Sequence, residues 1–214
     1  MEAPWEALRA DSEHYYTRNQ GLHELPVDPL EGTISRINNY APIESVLEIG
    51  AGNGWRLRKL RERYDCKVAG LDSSKQACGE SDGLVRYGLA PWDTTLFAGP
   101  WDLVILGFFT YLLPRSGLRR LVSEVDRLLV PGGHVVVLDF LYPRPVRVPY
   151  THDEALTVYK HDVSALFTAG PEYVLVDRQL TEHSAHHVDN SDPAKWIVAD
   201  AVMKLSPELA YGGQ

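Results

Sequence analysis

Apolar positions along this chain keep two rhythms, and the rhythms take turns. Ser45 to Ile49, Cys66 to Leu71, Trp101 to Leu106 and His134 to Phe140 are short apolar runs of the length expected for strands buried on both faces. Residues 83 to 88 make a shorter strand of the same kind. Between the runs, apolar residues return about once per helical turn. Leu57, Leu60 and Tyr64 share one side of a helix, and Leu118, Leu121, Val122, Val125, Leu128 and Leu129 mark a strongly amphipathic one from Gly117 to about Leu129. Pro131-Gly132-Gly133 stops it. A helix from about Glu31 to Tyr40, with Ile34, Ile37 and Tyr40 one turn apart, leads into the first strand, and residues 3 to 20 read as another. Leu25 to Pro29 is a loop, since its two prolines forbid a continuous helix. Strands that alternate with helices predict an α/β domain built on a parallel sheet.

The alternation fails in two late segments. Pro143-Arg144-Pro145-Val146-Arg147-Val148-Pro149 is an extended, proline-stiffened crossing. From Thr151 to Asp162 the pattern predicts a helix, and Ala165-Leu166-Phe167 ends a second, short one before Gly170-Pro171. Tyr173 to Thr181 and Lys195 to Leu205 alternate enough to pair as an antiparallel hairpin.

Composition narrows the function classes. With 214 residues, 44% of them hydrophobic, the chain suits one α/β domain with a substantial core. A net charge of −8 argues against a general nucleic-acid binder, which needs clustered Lys and Arg to neutralise phosphates. The basic run Arg56-Leu57-Arg58-Lys59-Leu60-Arg61 is expected to carry its charges on the outer face of a helix. Cys66 and Cys78 are too few for a disulfide framework, and no long apolar stretch or leader is evident, so a reducing, cytoplasmic setting without a membrane span is expected.

The chemistry concentrates where the first strand ends. Val46-Leu47-Glu48-Ile49-Gly50-Ala51-Gly52-Asn53-Gly54 breaks from an apolar run into glycines at alternate positions: Gly50 for a tight turn, Gly52 for close approach of a ligand to the main chain, Gly54 for helix packing. The second strand closes on Asp72-Ser73-Ser74, about 20 residues beyond the glycines. An acid there is placed to accept two hydrogen bonds from a ribose diol, and a helix N-cap is the other reading.

The spacing E-x-G-x-G-x-G at Glu48 to Gly54 is not the dinucleotide G-x-G-x-x-G; it resembles the first motif of class I S-adenosylmethionine-dependent methyltransferases. The Trp101-Asp102 start of the fourth strand and the helix, Pro-Gly-Gly and strand from Gly117 to Phe140 extend the likeness over residues 45 to 140 in the right order. The resemblance implies a seven-stranded, mostly parallel sheet with helices on both faces and a C-terminal antiparallel hairpin. It also implies one domain over residues 1–214, with an N-terminal helical cap at 1–40 and a substrate-side insertion at 143–171. S-adenosylmethionine is the implied cofactor. Glu48, Gly50, Gly52 and Asp72 would hold it, with Tyr15 or Tyr16 of the cap facing the sulfonium.

Leu89 and Ala90 would pack on the adenine by main-chain or apolar contact, because the acid frequent at that turn is missing and Asp93 is a doubtful substitute. Phe108 would wall the crevice, with plain core packing as the alternative. Methyl transfer from a sulfonium needs alignment rather than an enzyme nucleophile, and a base only where the acceptor must lose a proton. His152 and His161 are the candidates for that base, His161 with Asp162 as an orienter, and Asp139 is a further possibility. Arg144 and Arg147 would either hold an anion on the acceptor or be solvated.

His183, His186, His187, Asp189 and Asp192 crowd one loop, but a loop offers no preformed metal site, and no metal is expected. The expected function is methylation of an oxygen or nitrogen on a small acceptor. A nicotinamide-dependent oxidoreductase and a non-catalytic binding protein are the alternatives.

Overall fold

The computed structural model describes residues 9, 11–20, 28–142, 144–182 and 193–212. Four parallel strands, β1 (Ser45–Ile49), β2 (Lys67–Asp72), β3 (Val85–Tyr87) and β4 (Trp101–Gly107), are joined by β5 (Leu129–Phe140) and by an antiparallel pair, β8 (Tyr173–Glu182) and β9 (Trp196–Lys204). Their order across the sheet is β3-β2-β1-β4-β5-β9-β8. The chain leaves β1 toward β2 and β3, then returns across it to β4. The carboxyl ends of β1 and β4 therefore flank the switch point where open α/β sheets bind ligands.

Strand alternation assigns each residue to one of two layers. Leu103, Ile105 and Val136 face the helices α2 (Glu31–Tyr40) and α3 (Trp55–Tyr64), packing with Ile34, Ile37, Leu57 and Leu60. Val104, Leu106, Val135 and Val137 face α5 (Arg115–Leu128), whose Leu118, Leu121, Val125 and Leu128 are the apolar stripe read from the sequence. Each such side chain removed from water contributes about 1.5–3 kcal/mol. Gly70 in β2 shows how close the layers come: a Cβ there would lie 2.7 Å from Ala51 Cβ and 2.9 Å from Leu57 Cδ1.

The N-terminal helix α1 is Ser12–Asn19, and α4 (Lys75–Gly79) follows β2. The two meet through polar contacts. Ser12 Oγ donates to the Ser73 carbonyl at 3.0 Å. Glu13 accepts from Ser74 Oγ and the Lys75 amide, each at 2.6 Å. Burial opposes ionisation of Glu13, but those hydrogen bonds prevail and hold its carboxyl below the usual range.

The insertion corrects the helix expected from Thr151 to Asp162. It is an antiparallel hairpin, β6 (Val146–Tyr150) and β7 (Asp153–Lys160), turning at Thr151-His152. Glu154, Ala155 and Leu156 favour a helix locally, but pairing of Val148 with Val158 and Arg147 with Tyr159 decides the matter. Val158 is buried with Tyr111 and Tyr150, which fastens the hairpin to the segment that follows β4. The short helix after it, α6 (Ser164–Phe167), lies where expected, and α7 (Pro207–Tyr211) ends the described chain. The His183 to Asp192 loop and residues 3–8 of the expected first helix lie outside the described residues.

The basic run on α3 is also corrected at one position. Arg56 is buried, its Nε donating to Asp28 Oδ2 at 2.6 Å and its Nη1 to Glu48 Oε1. Asp28 in turn accepts from the Leu30 amide at 3.0 Å, so the segment before α2 is tied to the end of β1 through one guanidinium.

Two substitutions test this packing. Gly70→Ala should destabilise the protein by about 1–3 kcal/mol through overpacking. Gly79→Ala, where an added Cβ meets nothing within 4 Å, should be neutral or slightly stabilising in the same denaturant titration. Arg56→Met should cost about 3–5 kcal/mol, because it strands two buried carboxylates; a midpoint within error of wild type would show that the ion group holds nothing together.

Candidate active site

The turn after β1 has the geometry its glycines predict. Gly50 and Gly52 have φ of 78° and 55°, in the left-handed region, and a Cβ on Gly50 would lie 2.7 Å from the Phe109 ring. Asp72 closes the other side. Its Oδ2 accepts from the Gly52 amide and its Oδ1 from the Ser74 amide, each at 2.8 Å. It is not the N-cap of α4; Ser74 is, with Oγ accepting from the Ala77 amide at 3.0 Å. A carboxylate offers about four acceptor positions, so Asp72 retains capacity for a diol beside the two amides. Burial raises its pKa, against the three amides that lower it.

Glu48 lies 1% exposed at the end of β1 and lines the same cavity. Burial outweighs the Arg56 guanidinium and pushes its carboxyl up to about 7. Arg56 takes only Oε1; Oε2 is buried with no hydrogen-bond partner among the described residues. Asp28, Glu48 and Arg56 together carry one excess negative charge when ionised. An orphaned acceptor and an excess charge in a cavity wall fit a ligand ammonium. The diol acceptor, the glycine turn and this oxygen together suit the ribose and amino-acid portions of S-adenosylmethionine.

The cavity holds about 680 Å³, within the range of small-molecule sites, and runs from Glu48, Gly50, Gly52 and Asp72 to Tyr150, His152 and Lys160 on the hairpin. Tyr15 and Tyr16 both line it. Tyr16 is buried and donates its hydroxyl to Glu80 at 2.5 Å, whereas burial, then Asp139 and Asp72, push the Tyr15 hydroxyl up to about 12 and keep it neutral. Ala90 lines the cavity, its amide bonded to Asp93 Oδ2 at 2.8 Å. Leu89, 55% exposed, lies outside the wall beside it.

Phe108 lines the cavity in a strained backbone conformation, φ 58°, its amide bonded to the Leu138 carbonyl at 2.7 Å. The strain turns the chain at the end of β4, and Phe108 both lines the cavity and packs against the core beside it.

Of the two histidines, the hairpin turn brings His152 to the cavity, edge-on to Tyr150 with centroids 5.3 Å apart. His161 lies beyond β7 and outside the wall. Its proposed orienter, Asp162, is instead held by Arg178 at 2.9 Å. Asp139 is sealed from the cavity, accepting from Thr110 Oγ1 and from the Tyr111 and Phe140 amides at 3.2 and 2.7 Å. Burial nevertheless raises it to about 6. Arg144 and Arg147 are exposed and outside the wall, so the solvated reading holds for both.

Sequence reasoning missed the polar clamp that closes the roof. Arg18 of α1 pairs with Asp11 at 2.7 Å and donates to Tyr150 Oη at 3.1 Å, while that hydroxyl donates to Asp11 at 2.9 Å. Arg56, Asp28 and Lys160 were missed as well. An arginine in the first turn of the helix after an acid-ended strand was the available signal for Arg56; nothing local marks Tyr150.

Comparison with known proteins agrees with this geometry. Residues 46–133 match the family described as Methyltransferase domain. An uncharacterized methyltransferase of Synechocystis sp. is 28% identical over 127 residues, 57% of this chain, and the match spans 55% of that protein's length.

Among solved structures, Burkholderia thailandensis 1,6-didemethyltoxoflavin-N1-methyltransferase, with bound 1,6-didemethyltoxoflavin and S-adenosylhomocysteine, superposes at a TM-score of 0.67 and 15% identity, over 96% of this chain and 94% of that one. The N-methyltransferase NodS from Bradyrhizobium japonicum, in complex with S-adenosylhomocysteine, does so at 0.58 and 17%, over 90% and 98%. These likenesses establish the fold, and the antiparallel β9 beside β5 sets aside a dinucleotide-binding half. The methyltransferase-domain signature thus runs from the first strand into β5, and the fold around it is that of the class I S-adenosylmethionine-dependent methyltransferases.

Proposed function

We propose that this protein transfers a methyl group to an oxygen or nitrogen of a small-molecule acceptor. The observation that carries the reading is one continuous cavity whose walls include both the glycine cradle with Asp72 and the hairpin with His152. S-adenosylmethionine supplies, when bound, a methyl group on a positively charged sulfur. The chain's own residues do the rest. Asp72 holds the ribose hydroxyls, and Glu48, kept in place by Arg56, accepts from the amino group. Tyr15 and Phe108 present rings suited to a neighbouring cation. The hairpin and α1 exclude water from the space beyond, which favours in-line displacement by alignment and desolvation. His152 takes the acceptor's proton where one must leave. Two free cysteines accord with a reducing cytoplasmic setting, and no helix among the described residues is long and apolar enough to cross a membrane.

Calorimetry with S-adenosylmethionine and S-adenosylhomocysteine tests the cradle. Asp72→Ala should weaken both by about 10–100-fold, as expected for losing charge-assisted hydrogen bonds of about 1.5–3 kcal/mol. Unchanged affinity in a folded variant would remove Asp72 from the site, and no uptake by wild type would end the methyltransferase reading.

With an acceptor in hand, His152→Ala should lower kcat by about 100-fold or more and abolish the acid limb of its pH profile, while leaving cofactor affinity near wild type. A uniformly lowered rate with the acid limb retained would make His152 a wall residue instead of a base.

A further inference from the structure

Asp72 does not stand alone at the end of β2. The turn that follows it, Ser73 to Gln76, is held by the first residues of α1. Ser12 Oγ donates to the Ser73 carbonyl at 3.0 Å. Glu13 Oε1 accepts from the Lys75 amide at 2.6 Å, while its Oε2 accepts from Ser74 Oγ at 2.6 Å and from the Gln76 amide at 3.4 Å. Two side chains of one helix thus engage four consecutive residues of the turn.

That turn decides how Asp72 points. Of the two amides bonded to its carboxylate, one belongs to Gly52 on the glycine cradle and the other to Ser74, 2.8 Å from Oδ1. The Ser74 amide keeps its place only while residues 73–76 keep theirs. Helix α4 is too short to fix them by itself, since its five residues make about one and a half turns. Glu13 supplies the support by gripping the start of α4 at three points. Asp72 and Ser73 line the cavity, whereas Glu13 is not among the described residues of its wall. A residue so placed acts through the turn and not on the ligand.

Charge would give Glu13 the opposite effect. Burial chiefly, and the Glu13 charge as well, push the Asp72 carboxyl up, so removing that charge favours the ionised acceptor. Geometry and charge therefore predict opposite outcomes for one substitution.

Resting on the methyltransferase reading above, we propose that Glu13 is a positioning residue for ribose recognition: from α1 it holds the Ser73–Gln76 turn, and through the Ser74 amide it keeps the Asp72 carboxylate aimed at the ribose hydroxyls of the cofactor. A carboxylate fixed beforehand has less freedom to lose when the diol arrives.

The test is calorimetry on the full chain with S-adenosylhomocysteine and with its 2′,3′-dideoxy analogue, which lacks the diol. Uptake of S-adenosylhomocysteine by wild type, and its weakening in Asp72→Ala, are measured first; failure of either strikes the cofactor reading itself and not Glu13 alone. Glu13→Ala should then weaken S-adenosylhomocysteine by about fivefold or more and the dideoxy analogue by less than about twofold. Unchanged or tighter binding of S-adenosylhomocysteine would overturn the proposal. Equal weakening of both ligands would overturn it too, because a merely structural role does not distinguish a ligand with the diol from one without it. If Glu13→Ala does not fold, Glu13→Gln, which keeps one acceptor oxygen, serves in its place: S-adenosylhomocysteine should weaken by about twofold or more, with the analogue unchanged.

Discussion

A single guanidinium, that of Arg56, is the constraint around which the cofactor end of this protein is arranged. Moving an arginine and two carboxylates out of water costs several kcal/mol per charge, and close pairing must return most of it. Here the partners come from separate parts of the chain. Glu48 ends β1, Asp28 precedes α2, and Arg56 sits in the first turn of α3. The glycine turn between Glu48 and Arg56 is thus spanned by an ion pair as well as by its own backbone. The end of β4 lies against the same pair: a Cβ on Gly107 would meet Glu48 Oε1 at 3.4 Å and Arg56 Nη1 at 3.5 Å, in ordinary contact. Because Asp28 and Glu48 outnumber Arg56, the group is neutral when Glu48 holds a proton or when a further cation meets its orphaned oxygen.

The roof of the cavity is held by a different kind of force. Helix α1 contributes one buried residue, Tyr16, and otherwise attaches through Ser12 and Glu13 on one side and the Asp11–Arg18–Tyr150 clamp on the other. The sheet, by contrast, is bound by two apolar layers. Partly exposed polar contacts contribute little each, so the helix can separate from the hairpin at far lower cost than the sheet can open. A cofactor too large to diffuse through a closed wall needs a boundary of that sort. Tyr150, at the meeting of α1 and β6, joins the two halves of the roof.

These differences decide what could be read from the residues alone. The sheet and its helices were legible because burial on two faces forces continuous apolar strands, and burial on one forces a stripe at helical spacing; Leu103 to Leu106 and Leu118 to Leu128 obey those demands without outside help. The cradle was legible because positive φ at Gly50 and Gly52, and an acid at the end of β2, are requirements of the backbone. Arg56 was misread, since helical phase placed it beside charged neighbours, and its burial depends on Glu48 together with Asp28, which lies 28 residues away in a segment taken as plain loop. Residues 153–160 were misread because Glu, Ala and Leu favour a helix until a partner strand is present. Leu89 and His161 stand outside the cavity wall: one was placed by the family likeness of the turn after the third strand, the other by lying in the insertion expected to overhang the crevice, and neither argument fixes where a side chain points.

The polarity of the cavity supplies the last step. Glu48 and Asp72 lie at the cradle, Asp11 stands at the roof paired with Arg18, and rings occupy the middle and far end. In methyl transfer the full positive charge of the sulfonium is spread over sulfur, carbon and the incoming atom as the carbon–sulfur bond lengthens. An apolar enclosure raises the energy of a concentrated charge relative to water more than that of a dispersed one, and the carboxylates of the cradle offset the cost of bringing the cofactor in. Acids confined to the cradle and roof, with rings between, therefore suit a reaction in which charge leaves the cofactor.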